Sequence, residues 1–162
     1  MPLLDMPVKA FVVLYFHDVV GLNAAFANVT LIIIIAGTLV GRLLLSWVLQ
    51  LMSGVLLLRL SVWFGLMSFA LFLLVPFVTV KLVMLAVFSL VEADWYPLAK
   101  GQAYAAQPTR SGVVLSVTSL LSPITSLLPL VVGFIASQVG LGWGMGVMLV
   151  GPVVAGVLLL RG

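Results

Sequence analysis

Charged residues fall singly along this chain, and long apolar runs separate them. Six runs emerge between the charges, at roughly 7–21, 26–44, 59–76, 78–98, 111–138 and 141–160. A hydrocarbon core about 30 Å thick needs about 20 helical residues at a rise of about 1.5 Å each. Runs this continuous lack the alternation of a barrel strand, and backbone groups in lipid must be satisfied within the segment. The pattern therefore predicts an all-α polytopic membrane protein with six transmembrane helices in a single bundle. The first run is interrupted by Lys9 and by His17–Asp18 and reads as a shortened span. The fifth is longer than a span needs and carries Pro123 and Pro129, so it is expected to tilt, bend or project.

The stretch 43–58, LLLSWVLQLMSGVLLL, is ambiguous. Its length corresponds to about 24 Å of helix, short of the core. Charge asymmetry arbitrates. If the stretch is a surface or re-entrant connector, Lys9, Arg42, Arg59, Lys100, Arg110 and Arg161 share one side and only Lys81 faces the other. If it is a seventh span, the bases divide three against four. Basic loops prefer the cytoplasm, so six spans with both termini cytoplasmic is the expectation.

Composition narrows the class further. Of 162 residues, 64% are apolar and 7% charged, against about a quarter charged in a soluble domain. The formal charge of +3 comes from scattered bases, which argues against a nucleic-acid binder. With no cysteine, one histidine and four acids, neither a thiolate site nor a His-rich metal site is expected. No H-E-x-x-H or Walker sequence occurs, so the chain is expected to be neither an enzyme nor a cofactor protein. The leading residues do not read as a secretory signal, because Asp5 interrupts them and no small-residue cleavage pattern follows.

The segment EADWYPLAKGQAYAAQPTRSG (92–112) concentrates the polar residues. Glu92, Tyr96 and Lys100 are spaced i, i+4, i+8, along one helix face. Pro97 lacks the N–H that would bond the Ala93 carbonyl, so the helix is weakened there. An acid beside a broken backbone suits a gate or a proton site. Glu92 is the candidate titratable gating residue, with Asp94, Tyr96, Lys100 and Arg110 as its network. The plainer reading places Glu92 and Asp94 within two turns of the inner interface, pairing with Lys100 or Arg110, with Trp95 and Tyr96 as headgroup-belt aromatics.

Secondary candidates lie elsewhere. His17 and Asp18 form either a titratable pair or the polar end of the first span. Lys81 reads as an interface anchor rather than an anion attractant. Ser111, Ser116, Thr118, Ser119, Ser122, Thr125 and Ser126 line either a polar path or a helix contact. Asn23 and Asn28 are expected to bond backbone at the outer turn. Gly140, Gly142, Gly144 and Gly146 give two overlapping small-x-x-x-small pairs, a signature of close helix packing.

The order of these elements resembles the C-terminal half of a major facilitator superfamily transporter. YFHDVVGLNAAFAN (15–28) is similar to the end of the family's seventh helix, its outer loop and the start of the eighth. Gly41-Arg42 resembles the inner end of the eighth helix, and 92–112 the tenth helix leaving the membrane. The resemblance implies one six-helix half of a secondary transporter of the bacterial inner membrane, moving a small solute by alternating access. It implies a partner too: an N-terminal half, or a second copy of the chain. The connector 43–58 departs from the family by lacking its acid and basic cluster. A non-transporting membrane scaffold or accessory subunit, or the remnant of a truncated transporter gene, are the alternatives.

Overall fold

The computed structural model describes residues 5–106 and 111–161. All elements among them are helical. Helix α1 (Asp5–Leu14) runs on into a π-helical turn, Tyr15–Val19. Then follow α2 (Ala24–Leu51), α3 (Gly54–Leu74), α4 (Val78–Glu92), α5 (Trp95–Ala106), α6 (Ser111–Val139), α7 (Leu141–Val147) and α8 (Val150–Arg161). They group into six rods, with α4–α5 and α7–α8 each forming one rod interrupted by two residues.

The interruptions have a common cause. A proline has no N–H for the carbonyl four residues before it. Pro76 leaves the Phe72 carbonyl without its helical donor, and α3 ends at Leu74. Pro97 does the same to Ala93, where α4 gives way to α5, and Pro152 to Met148, where α7 gives way to α8. Pro97 and Pro152 then sit in the first turn of the next helix, where a missing N–H costs nothing. Elsewhere, polar caps and glycines make the turns. Asn23 Oδ1 accepts the Phe26 N–H at 3.0 Å, and Ser53 Oγ accepts the Leu56 N–H at 3.4 Å. Gly21 and Gly140 turn the chain with φ of +80° and +96°, a region that favours glycine.

Three expectations about the spans are corrected. The stretch 43–58 is not a connector: residues up to Leu51 continue α2, residues from Gly54 begin α3, and only Met52 and Ser53 lie between. From Leu43 to Leu51 the sequence is Leu-rich and free of proline and glycine, which sustains α2 there. The fourth rod does not stop near 98, because the polar run KGQAYAA is made mostly of good helix formers and extends α5 to Ala106. Gly140 is not part of a helix face, since its positive φ places it in the turn before α7. The α6 range agrees closely with the run 111–138.

Rods pack through small residues and rings. A Cβ on Gly41 would run into the Leu90 carbonyl and lie 3.1 Å from Ala93 Cβ, and one on Gly37 would lie 3.0 Å from Ser89 Cβ. Thus α2 and α4 touch backbone to backbone, in parallel. Along α3 the fourth rod runs antiparallel over its whole length. Lys81 meets Phe72, Phe88 meets Phe69 with ring centroids 4.9 Å apart, Trp95 covers Gly65, and Gln102 covers Gly54. Tyr15, Phe16, Phe72, Phe69, Phe88 and Trp95 make a continuous chain of ring contacts through the core.

The glycine run before α8 divides. Gly144 is buried with Ala136 of α6 against it, whereas a Cβ on Gly142 or Gly146 would meet nothing within 4 Å. Close packing on the α6 side therefore uses Gly144 alone. Gly142→Ala and Gly101→Ala, both in open space on helices, are expected to stabilise by about 0.5–1 kcal/mol each through helix propensity. Thermal melts of the purified variants check this; a fall in melting temperature would contradict the open geometry.

The outside of the bundle is strongly apolar. Only Ala27, Thr30, Ile34 and Gly41 of α2 are buried, while Trp47 and Leu51 are 72% and 84% exposed. Both α2 and α3 are long and apolar enough to cross a membrane.

Candidate functional site

The break between α4 and α5 assembles the polar residues. Glu92 ends α4 and is buried at 4% exposure. Ala93 and Asp94 form the turn, and the Asp94 carbonyl accepts the Leu98 N–H at 3.0 Å to start α5. Because Gly41 admits α2 against Leu90 and Ala93, its neighbour Arg42 is brought to the side of the turn, without an ion pair to Asp94 among the described residues. Trp95 lies edge-on to Phe88, at 6.0 Å between centroids, with its indole filling the space a side chain at Gly65 would take. Asp94 Oδ1 and Trp95 Nε1 are both buried without a hydrogen-bond partner. An unmade bond on a buried polar atom costs about 1–3 kcal/mol, so an acceptor and a donor in this condition on adjacent residues mark the break as more than a packing defect.

Its height in the fold is the decisive geometric fact. Gly65, which Trp95 covers, is the twelfth of the 21 residues of α3. The break is thus level with the middle of α3, and α5 adds 12 residues beyond it. Glu92 and Asp94 do not end their rod: the polar sequence after Pro97 stays helical to Ala106 and runs down the first half of α3. Trp95 is likewise no belt aromatic, being wedged between α3 and α4.

The other candidates separate from this cluster. Glu92, Tyr96 and Lys100 do not share one helix, because the turn at 93–94 divides them. Lys100 instead lies between Tyr96 and Tyr104, its Nζ 5.6 and 5.9 Å from the ring centroids. Arg110 lies outside the described residues. Ser119 is exposed on α6, and the side chain of Ser122 lies outside the described part of that helix. Ser116 Oγ donates to the Gly112 carbonyl at 2.8 Å, so this hydroxyl is satisfied within its own helix. His17 Nδ1–H donates to Asp18 at 2.6 Å on the π-turn, both side chains more than half exposed.

Lys81 was missed by sequence reasoning. It is no interface anchor: at 5% exposure its Nζ donates to the Tyr15 hydroxyl at 2.8 Å and the Phe72 carbonyl at 2.7 Å. The readable signal was Pro76, five residues before it, which strands that carbonyl. Among the described residues no group of His, Asp or Glu could hold a metal.

No family model, curated protein or solved structure matches the chain.

Proposed function

We propose that this chain is a membrane protein and one six-helix half of a secondary transporter of the major facilitator type. It moves a small solute by alternating access, together with a second half or a second copy. The observation that carries the reading is the helix break at 93–94, at mid-height of the rods, with buried Glu92 and the unpartnered Asp94 Oδ1 and Trp95 Nε1 beside it. Ionisable groups at such depth in an apolar bundle are expensive and serve solute or proton pathways, and discontinuous helices at mid-membrane are where transporters bind.

Glu92 acts as the titratable gating residue. Asp94 and Trp95 present an acceptor and a donor toward the passing solute or proton, and Arg42 sets the charge of the turn. Tyr96 and Lys100 begin the exit along α5. The apolar exterior faces lipid. In six alternating rods, Lys9, Arg59, Lys100 and Arg161 fall toward the end holding both termini, which the positive-inside rule assigns to the cytoplasm.

The chain has no cysteine, so single-cysteine variants report cleanly. In proteoliposomes Asp94→Cys is expected to react with a membrane-impermeant maleimide, and Ile35→Cys, on the lipid face of α2, to stay unreactive. Equal reactivity at both positions would remove the lipid from around α2. Silence at position 94 would remove the water path at the break.

A further inference from the structure

The corner where α3 turns into α4 holds a cation with no anion. Lys81 Nζ has three N–H donors, and three oxygens surround it: the Tyr15 hydroxyl at 2.8 Å, the Phe72 carbonyl at 2.7 Å and the Leu73 carbonyl at 3.4 Å. Two rings complete the shell, with centroids 5.1 Å (Tyr15) and 5.3 Å (Phe72) from the nitrogen. Among the described residues no carboxylate pairs with it; the nearest acid on the π-turn, Asp18, is taken by His17. We propose that this corner is a primary-ammonium site, built by α3 and the π-turn and filled in the resting protein by the chain's own Lys81, whose seating latches the first rod onto the α3–α4 corner.

Each part of the site has a physical origin. Phe72 and Leu73 belong to the last turn of α3, where carbonyls have no helical partner and the helix dipole is negative. Pro76 makes the Phe72 carbonyl an obligatory orphan, because the residue that would bond it has no N–H. The π-turn Tyr15–Val19 brings in both Tyr15 and Phe16, each buried, and single-turn π segments recur at functional sites. The Phe72 ring adds cation–π attraction at 5.3 Å, while Tyr15 contributes chiefly through its hydroxyl.

The same geometry selects the ligand class. Three acceptors in a small shell match the three donors of R–NH3⁺, whereas a guanidinium is a planar fork with five. Oxygens at these distances suit N–H donors and not a dehydrated Mg²⁺ or Ca²⁺, which require oxygens at about 2.0–2.6 Å. A quaternary ammonium would find the rings but leave the carbonyls without a donor. The site stands on these contacts alone and does not depend on transport.

Chemical rescue tests it on the full chain in detergent. Lys81→Ala removes a fragment equivalent to n-propylammonium. The variant is expected to melt several degrees below the parent, and millimolar n-propylammonium to restore most of that loss while leaving the parent unchanged. Tetramethylammonium, which has no N–H, and 1-propanol, which has no charge, are expected to restore nothing. Rescue by all three alike, by none, or a Lys81→Ala variant as stable as the parent would overturn the proposal. Should that variant fail to fold, Tyr15→Phe keeps the lysine and removes one acceptor. A cysteine at Val12, fully buried on the first rod three residues before Tyr15, is then expected to react with a maleimide severalfold faster than the same cysteine in the parent, and an equal rate overturns the latch.

Discussion

Gly41→Val is expected to cost about 3 kcal/mol or more and to abolish the folded bundle in mild detergent. The α2–α4 contact has no room for a side chain at this point: the added Cβ would overlap the Leu90 carbonyl oxygen and crowd Ala93. Backbone cannot yield as a flexible side chain can, so the two rods must part. Parting them exposes Leu90 and Ala93 and opens the α2 side of the turn at 93–94. Inserting methyl groups into a well-packed contact costs about 1–3 kcal/mol where neighbours can adjust, and more where the obstacle is main chain. Gly41→Ala places the same Cβ but no branch, and is expected to lie between the parent and valine. Size-exclusion profiles and thermal melts check the series against Gly142→Ala, which meets nothing. A Gly41→Val variant that melts within a degree or two of the parent would disprove the backbone contact.

What the sequence discloses here depends on range. Local chemistry was legible. The proline at 97 predicts the break after Glu92, and Asn23 caps the turn it was expected to cap. Apolar run lengths locate six rods. What fails is the use of charge as a boundary. Arg42 is expected at the inner end of a span, yet it lies within α2, nineteenth of 28 residues, because the leucine-rich sequence after it keeps the helix going to Leu51. Lys81 reads as an interface anchor, yet it is buried because Pro76 creates an acceptor that nothing on its own helix can satisfy. Lys81 is held by acceptors on other elements, and no periodicity within its own run encodes them. The packing glycines show the same limit. The run at 140–146 has the denser motif, but Gly41, in an isoleucine- and leucine-rich helix, makes the closest approach, against the Leu90 carbonyl, with the small Ala93 beside it.

A lipid surround and a water surround predict opposite signs for charge placed on the outer face of α2, and this gives the largest expected effect. Ile32, Ile35 and Leu39 are 65%, 60% and 59% exposed and follow one another at helical spacing, opposite the buried Ala27, Thr30, Ile34 and Gly41. Ile35 lies about 4 Å from the helix midpoint, too deep for a lysine to reach water on either side of a core about 30 Å thick. Each lysine near the centre of a spanning helix costs about 2.5–3.5 kcal/mol on insertion, so the triple variant Ile32→Lys, Ile35→Lys, Leu39→Lys carries about 8–10 kcal/mol against membrane entry. On a water-facing surface the same three changes would fall within about 0.5 kcal/mol each for folding. There they would break up an apolar patch that favours aggregation. The triple variant is therefore expected to vanish from carbonate-washed membranes that retain the parent, and to be degraded or aggregated. A soluble, helical, monomeric triple variant at higher yield would place α2 against water, and the mid-height acids would then lie in an ordinary core rather than on a path across a membrane.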